Sequence, residues 1–336
     1  GLREVHGGVS RLRVLVTGTA GFIGSRLSRT LRDRGHEVLG VDLRGGEETV
    51  AADVRDRAAI VSLASGFRPD AVAHLAASIS APESVSRPAE YLENNAMGTV
   101  NVLEAARLSG ARAFLYFSSV AVYGEPAELP IREGSPTNPA NPYGLSKLMG
   151  EEAVRGYGRF YGMRHVVLRP SNVYGPGQSP EYAGVVEAFA KAIAEGRTPV
   201  IHGDGEQTRD FVHVDDVVSA VVIALESGAS GTYNVSSGRS ISVNELARMF
   251  EEAAGRRVEF ARGPPRPGDV RRSEVSNELM VRELGWRPSR DLSEGIREVL
   301  EWHLRGRGDG ATRGRATLRR FPRAPPVRSG GRPRPS

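Results

Sequence analysis

The stretch LRVLVTGTAGFIG, residues 12–24, decides how the rest of the chain is read. Its first half, LRVLVT, is a short apolar run bounded by glycine, the pattern of a strand buried on both faces. Its second half carries glycines at 18, 21 and 24 and leads into a helical pattern with Ile23, Leu27 and Leu31 on one face. A strand, a glycine loop and a helix in that order form a phosphate cradle. Gly18 permits the tight turn, Gly21 the approach of a pyrophosphate and Gly24 the packing of helix on strand, with Phe22 and Ile23 opening the helix. A second strand, EVLGVD (37–42), ends on Asp42. A carboxylate there accepts hydrogen bonds from an adenosine ribose and repels a 2′-phosphate, which favours NAD over NADP.

Further strand candidates are TVAAD (49–53), AVAHLA (71–76), AFLYFS (113–118) and HVVLR (165–169), with helical stretches between them. Alternation of this kind implies parallel βαβ crossovers and an α/β fold with a doubly wound, Rossmann-type sheet. After Pro170 the pattern loosens into Gly- and Pro-rich loops among helices at 183–195, 215–227, 242–254 and 292–303. The expected organisation is an extension at 1–10, a dinucleotide domain at 11–170 and a smaller C-terminal substrate domain at 171–303. An Arg/Gly/Pro-rich tail follows from 304.

Charge and composition narrow the function. The net charge is +5, but residues 305–336 hold ten Arg against one Asp, which leaves −4 for residues 1–304. The basicity therefore belongs to the tail. With hardly any apolar residues, the tail is expected to be disordered, and with Phe321 as its single aromatic it is a poor platform for stacked bases, so nucleic acid is not the expected partner. No apolar run approaches the ~20 residues that span a bilayer. The first ten residues lack a secretory pattern, and a cytoplasmic location is expected. With no cysteine in the chain, disulfides, thiolate metal ligands and cysteine nucleophiles are excluded. No metal site is expected.

Lysine occurs only at 147 and 191, against 43 Arg. Lys147 lies four residues after Tyr143 in NPYGLSK (141–147), with Pro142 suited to a first helical turn, so the two side chains share a helix face. A phenol is a poor base at neutral pH, and an adjacent ammonium is expected to lower its pKa. The compact ammonium of Lys also reaches a cofactor ribose as the broader guanidinium of Arg does not. Ser119, in FSSVAVYG (117–124), is placed at a strand end to hydrogen-bond the same substrate hydroxyl.

Seven ordered motifs, TGTAGFIG, HLAA, SSVAVYG, NPYGLSK, LRPSNVYGPGQ, GDGEQTRDFVHVDD and RPGDVRR, cover about residues 12–302. Together they resemble the extended short-chain dehydrogenase/reductases, specifically the NAD-dependent nucleotide-sugar epimerase/dehydratase family, with the 4-epimerase branch acting on UDP-glucose as the nearest likeness. The resemblance implies that Ser119, Tyr143 and Lys147 form a catalytic triad. It implies that Asp53 and Val54 lie near adenine, that Leu75, Ala76 and Ala77 line the nicotinamide side, and that Asn95 stands beside the cofactor. For the nucleotide sugar it implies contacts from Asn172, Arg209, Arg266 and Asp269. It implies an isomerase of carbohydrate metabolism, epimerising C4 of a UDP-sugar through a transient 4-keto intermediate, and a homodimer pairing the helices around 98–109 and 143–160.

Departures within the motifs refine that expectation. Val120 and Ala121 stand where the dehydratase branch of the family carries an acid and a base, and neither can transfer a proton. Gly184 stands where 4-epimerases often carry an asparagine. Ser273 is small where the family admits or excludes a 2-N-acetyl group, so UDP-GlcNAc is expected to fit besides UDP-glucose and UDP-galactose. Ser171 replaces an aromatic, which is expected to loosen the nicotinamide pocket. Two other readings share the same motifs: an NAD(P)H-dependent 4-keto-sugar reductase, and a non-catalytic NAD-binding protein whose tail binds a polyanion.

Overall fold

A computed structural model describes residues 11–178, 184–266 and 270–309. The expectations for residues 1–10, for the tail from 310 onward and for Asp269 lie outside the described residues.

The chain opens with β1 (Arg13–Thr17), α1 (Phe22–Asp33), β2 (Glu37–Asp42), β3 (Thr49–Ala51), α2 (Arg57–Phe67) and β4 (Ala71–His74). Two short helices, α3 (Ala81–Ser86) and α4 (Pro88–Tyr91), run into a π-helical segment, Leu92–Met97, which continues as α5 (Gly98–Ser109). Next come β5 (Ala113–Phe117), α6 (Pro142–Tyr161) and β6 (Arg164–Pro170). Residues of β1 alternate between two cores as a strand's period of two requires: Val14 and Val16 pack with Leu27, Leu31 and Leu168, while Leu15 packs with Ile60, Val72 and Phe114. Both faces are covered, which is why β4 and β5 are buried end to end.

The remaining elements are β7 (Asn172–Tyr174), α7 (Val185–Ala194), β8 (Val200–His202), β9 (Thr208–His213), α8 (Val214–Glu226), β10 (Gly231–Val235), β11 (Ser240–Ser242), α9 (Val243–Ala254), β12 (Ala261–Gly263), α10 (Glu278–Leu284) and α11 (Leu292–Asp309). The main sheet has seven strands in the order β10-β6-β5-β4-β1-β2-β3. Every pairing in it is parallel. Chain order reverses direction between β1 and β4, and the crevice outside the carboxyl ends of such strands is where open α/β sheets bind ligands.

Residue 170 is therefore not where the sheet ends. Strand β10 pairs with β6 from Gly231↔Val166 to Val235↔Pro170, and Val217 and Val221 of α8 join the same core as Leu27 and Leu31 of α1. Without β10, the outer backbone groups of β6 would lack ladder partners. The smaller unit keeps the three-stranded sheet β11-β9-β7, the pair β12-β8 and a core of Phe189, Phe211, Phe250 and Val299. Helix α11 continues to Asp309, past the expected boundary at 304, with Arg305 pairing to Glu301 one turn back at 2.7 Å.

Candidate active site

The glycine loop is built by exclusion of side chains. Gly18 has φ +81°, and a Cβ there would lie 2.8 Å from the amide nitrogen of Ala76. A Cβ on Gly24 would lie 2.0 Å from the carbonyl oxygen of Gly18. Helix α1 begins after Gly21 with no side-chain cap and no acidic residue in its first turn. No side chain of the helix caps its first-turn amides, which fits a pyrophosphate there. Asp42 closes the loop from β2: its carboxylate accepts from the amides of Ala20 at 3.1 Å and Arg44 at 3.0 Å. The Arg44 guanidinium turns back to the carbonyl of Ala20 at 2.8 Å.

Around this loop stand the other expected cofactor residues. Ala76 abuts Gly18, and the amides of Leu75 and Ala76 both donate to Thr17 Oγ1 at 3.2 Å. Val54 is buried against Gly98, where a Cβ would come within 2.8 Å of its Cγ2. Asp53 is chelated by Arg55, and hydrogen bonds from that guanidinium hold its carboxyl below the usual range. Asn95 sits in the π-helical segment, a local widening that recurs at functional sites. Its side chain accepts from the amide of Ser78 at 2.8 Å, and donates to the carbonyl of Ser78 and to Ser146 Oγ, each at 2.9 Å.

Helix α6 carries the expected acid/base pair. Asn141 caps it, accepting from the amide of Gly144 at 2.9 Å, and Pro142 occupies the first turn. Burial pushes the Tyr143 phenol above its ordinary range, while its interaction with the Ser119 side chain pulls the other way. Ser119 follows β5 and caps the short turn Val120–Val122 by accepting from the amide of Ala121 at 3.1 Å. Lys147 is buried; its Nζ donates to the carbonyl of Phe117 at 2.8 Å and lies 5.2 Å from the centre of the Tyr116 ring. Burial drives the Lys147 ammonium down to about 7, against an upward pull from Glu151. The expected lowering of the Tyr143 pKa by Lys147 is thus reversed. Burial of the phenol sets the direction, the opposing pull comes from the Ser119 side chain, and the Lys147 ammonium is turned to a backbone carbonyl.

Beneath this pair lies a buried charge network that spacing alone did not reveal. Glu151, one turn beyond Lys147, accepts from Ser118 Oγ at 2.6 Å and from Arg169 at 2.8 and 2.5 Å. Arg169 also donates to Tyr123 Oη at 2.8 Å, and Tyr123 Oη donates to Asn234 Oδ1 at 2.7 Å. The traces in the sequence were a lone arginine ending the apolar strand HVVLR and a carboxylate four residues after Lys147.

A cleft of about 210 Å³ opens between β7, β9 and α7, lined by Asn172, Gly184, Phe189, Arg209 and Arg266 among others. Three of the four residues expected to hold the nucleotide sugar thus meet in one place. Ser119, Tyr143 and Lys147 do not line this cleft; Ser171 and Asn172, directly after β6, lead from the triad's side of the sheet toward it. Ser171, expected to loosen the nicotinamide pocket, donates its hydroxyl to Asp210 Oδ1 at 2.9 Å. Asp210 has no exposed surface, and its Oδ1 also accepts from the amide and hydroxyl of Ser237 at 2.8 and 3.0 Å. Burial raises its carboxyl to about 6. Ser273 is buried, with its carbonyl accepting from Ser240 Oγ at 2.8 Å.

Residues 14–236 match the family model described as the NAD dependent epimerase/dehydratase family. The chain is 42% identical to a UDP-glucose 4-epimerase of Mycolicibacterium smegmatis over 87% of its own length and 98% of that protein. It superimposes on the UDP-glucose 4-epimerase of Thermotoga maritima, solved with UDP-glucose, with a TM-score of 0.84 and 36% identity over 88% of this chain and 99% of that one. For the Thermus thermophilus UDP-glucose 4-epimerase in complex with NAD, the TM-score is 0.82 and the identity 38%, over 88% of this chain and 99% of that one.

Proposed function

Because this chain belongs to the NAD dependent epimerase/dehydratase family, we infer that it is an NAD-dependent UDP-sugar 4-epimerase whose reaction centre is Ser119, Tyr143 and Lys147. The observation that carries the assignment of the centre is the meeting of Tyr143, Ser119 and Lys147 at the carboxyl end of β5, the same end of the sheet as the glycine loop after β1.

NAD, when bound, supplies the acceptor and later the donor of the C4 hydride. The chain's own residues hold it and manage the protons. The first-turn amides of α1 receive the pyrophosphate and Asp42 the adenosine ribose. Asp53, Val54 and Leu75 to Ala77 bound the remainder of the site. Tyr143 takes the proton of the sugar 4-hydroxyl as the C4–H bond breaks, leaving a 4-keto sugar, and returns it when hydride arrives on the opposite face. Atoms and electrons balance over the cycle, so only the configuration at C4 changes. Ser119 orients the reacting oxygen and tempers the phenol. Val120 and Ala121 offer no group for protonating a leaving hydroxyl, which supports epimerisation over dehydration.

Arg209 and Arg266 face the cleft in which a diphosphate would lie, and a guanidinium fork suits its oxygens. Asn172 completes this contact set, and Asp269 is assigned to it by the family motif. The small Ser273 supports admission of an N-acetyl group, so UDP-GlcNAc joins UDP-glucose and UDP-galactose as a substrate. A homodimer through α5 and α6 is part of the proposal, supported by exposed Leu108, Leu145, Met149 and Phe160 on those helices. A cytoplasmic location is proposed with it. Among the described residues no helix is long and apolar enough to cross a membrane.

The deciding experiment incubates the purified protein, without added cofactor, with UDP-galactose, UDP-glucose and UDP-GlcNAc and resolves the products by C4 configuration. Interconversion of UDP-galactose and UDP-glucose is expected. Turnover only with added NADH and a 4-keto sugar would replace the reading with a reductase.

A further inference from the structure

His74 ends β4 with 1% of its surface exposed and belongs to neither the catalytic nor the cofactor set assigned above. Its Nδ1 lies 2.7 Å from Thr17 Oγ1 and its Nε2 lies 3.0 Å from Thr99 Oγ1. Counting protons fixes the tautomer. Thr17 Oγ1 already accepts from the amides of Leu75 and Ala76, so it gives its own proton to Nδ1. Thr99 gives its hydroxyl proton to the carbonyl of Asn95 at 2.5 Å, so it accepts from Nε2–H. One direction then runs through the whole chain: amides of 75 and 76 to Thr17, Thr17 to His74, His74 to Thr99, and Thr99 to Asn95.

That chain ends on the backbone carbonyl of Asn95, and the side chain of the same residue starts a second one. Asn95 Nδ2 donates to Ser146 Oγ at 2.9 Å, and Ser146 Oγ donates to the carbonyl of Tyr143 at 2.7 Å. On its flank the imidazole stacks on Tyr116, with centroids 6.0 Å apart and planes at 27°. The Tyr116 hydroxyl donates to the carbonyl of Lys147 at 3.3 Å. Burial, helped by the charge of Lys147, keeps the ring neutral by lowering it to about 3. Its two nitrogens therefore keep their separate roles across the working pH range.

We propose that His74 is a positioning residue that couples the glycine loop to the first turn of α6, so that seating a dinucleotide on Gly18 fixes Tyr143 and Lys147. The proposal rests on the reading of this site as the epimerase centre. A satisfied network of buried hydrogen bonds holds the groups it joins rigidly, and displacement of a reacting group by about 1 Å costs on the order of 10²-fold in rate.

Three variants separate the two ends of the link. His74→Asn retains an acceptor for Thr17 but does not reach Thr99; His74→Gln retains a donor for Thr99 but offers Thr17 nothing; His74→Leu removes both. Each is assayed for thermal unfolding, for NAD content after saturation, and for kcat and KM with UDP-galactose. The expected result is a loss in kcat of about tenfold or more in all three, with KM within about threefold. Combining His74→Leu with Asn95→Ala is expected to be no worse than the poorer single variant, because both cut one chain. Retention of kcat within about twofold in His74→Leu, or losses that multiply in the double variant, overturns the proposal. If His74→Leu does not fold, the Asn and Gln variants carry the same outcomes. A wild-type chain that binds NAD but turns over no sugar nucleotide sinks the epimerase reading alone. The coupling is then read from NAD affinity, which Thr99→Val is expected to weaken about tenfold in the wild type and not further in His74→Asn, with additive losses overturning it.

Discussion

Glu151 and Arg169 form a two-pronged ion pair inside the protein, Nε to Oε1 at 2.8 Å and Nη2 to Oε2 at 2.5 Å, with the carboxylate fully buried and the guanidinium nearly so. The pair joins the third turn of α6 to the end of β6, one turn beyond Lys147. Removing Arg169 leaves the buried Glu151 carboxylate to Ser118 Oγ and the partly exposed Arg155 guanidinium, at 2.6 and 3.0 Å. Arg169→Met is therefore expected to cost about 2–4 kcal/mol, less than for a carboxylate with no partner left, and the double change Glu151→Met with Arg169→Met considerably less. Urea denaturation measures both. A loss below about 1 kcal/mol for the single variant would mean that water reaches the pair.

Lys147 makes the protein's stability depend on alkaline pH. Its folded pKa, about 7, lies below the ordinary lysine value of 10.5, so between those values the unfolded chain holds more protons than the folded one. This group's contribution to stability therefore rises with pH through that window. Lys147→Met is expected to flatten the rise and to abolish turnover. Urea midpoints at pH 7 and pH 9.5 that shift equally in both proteins would contradict this.

Tyr143→Phe is expected to reduce kcat about 10²–10⁴-fold while NAD binding is largely kept, since only the proton carrier is lost. Because burial raises the phenol, the ionised fraction grows as pH increases, and wild-type kcat is expected to climb on the alkaline side of neutrality. A pH–rate profile of kcat that is flat from pH 6 to 9 would rule out Tyr143 as the titrating base.

Asp210 acts in the opposite sense from a paired carboxylate. Its folded value of about 6 exceeds the ordinary 3.8, so its stabilising effect is full below pH 3.8 and is lost as pH rises toward 6. Asp210→Asn removes a cost of about 2–3 kcal/mol at neutral pH. A net gain of about 1 kcal/mol or more is expected once the altered hydrogen bonds to Ser171 and Ser237 are included. Melting temperatures of both proteins at pH 4 and pH 7 decide the matter; a variant less stable at pH 7 fails the prediction.

Gly18→Ala places a methyl group against Ala76 on a backbone with φ +81°. It is expected to empty the dinucleotide site, leaving protein with less than about a tenth of the NAD content of wild type, which absorbance of the released nucleotide measures. Full retention of NAD would show that the loop yields without opening.

How much of this was legible depended on how local the cause was. The strand, glycine turn and helix from Leu12 to Asp33 announced themselves because apolar runs, glycines and a helical stripe are all written within one segment. Strand β10 did not: GTYNV is a strand because the exposed ladder of β6 needs it, and that demand lies far upstream. The π-helical step that presents Asn95 leaves no mark in side-chain periodicity. Tyr143 and Lys147 were recognisable from spacing, yet the direction of the tyrosine's shift was not, since spacing gives neighbours and says nothing of burial. Glu151 and Arg169 escaped because each finds its partner on a different element.

Strand β10 also imposes an order on synthesis. A ribosome releases β6 with its outer rim bare, and that rim acquires its neighbour only after the whole of β7, β8, β9 and α8 has emerged. Until Val235 is made, the nascent chain carries an open sheet border of the kind that recruits foreign strands. A fragment ending at residue 170 is expected to carry that border permanently and to aggregate where the whole chain does not.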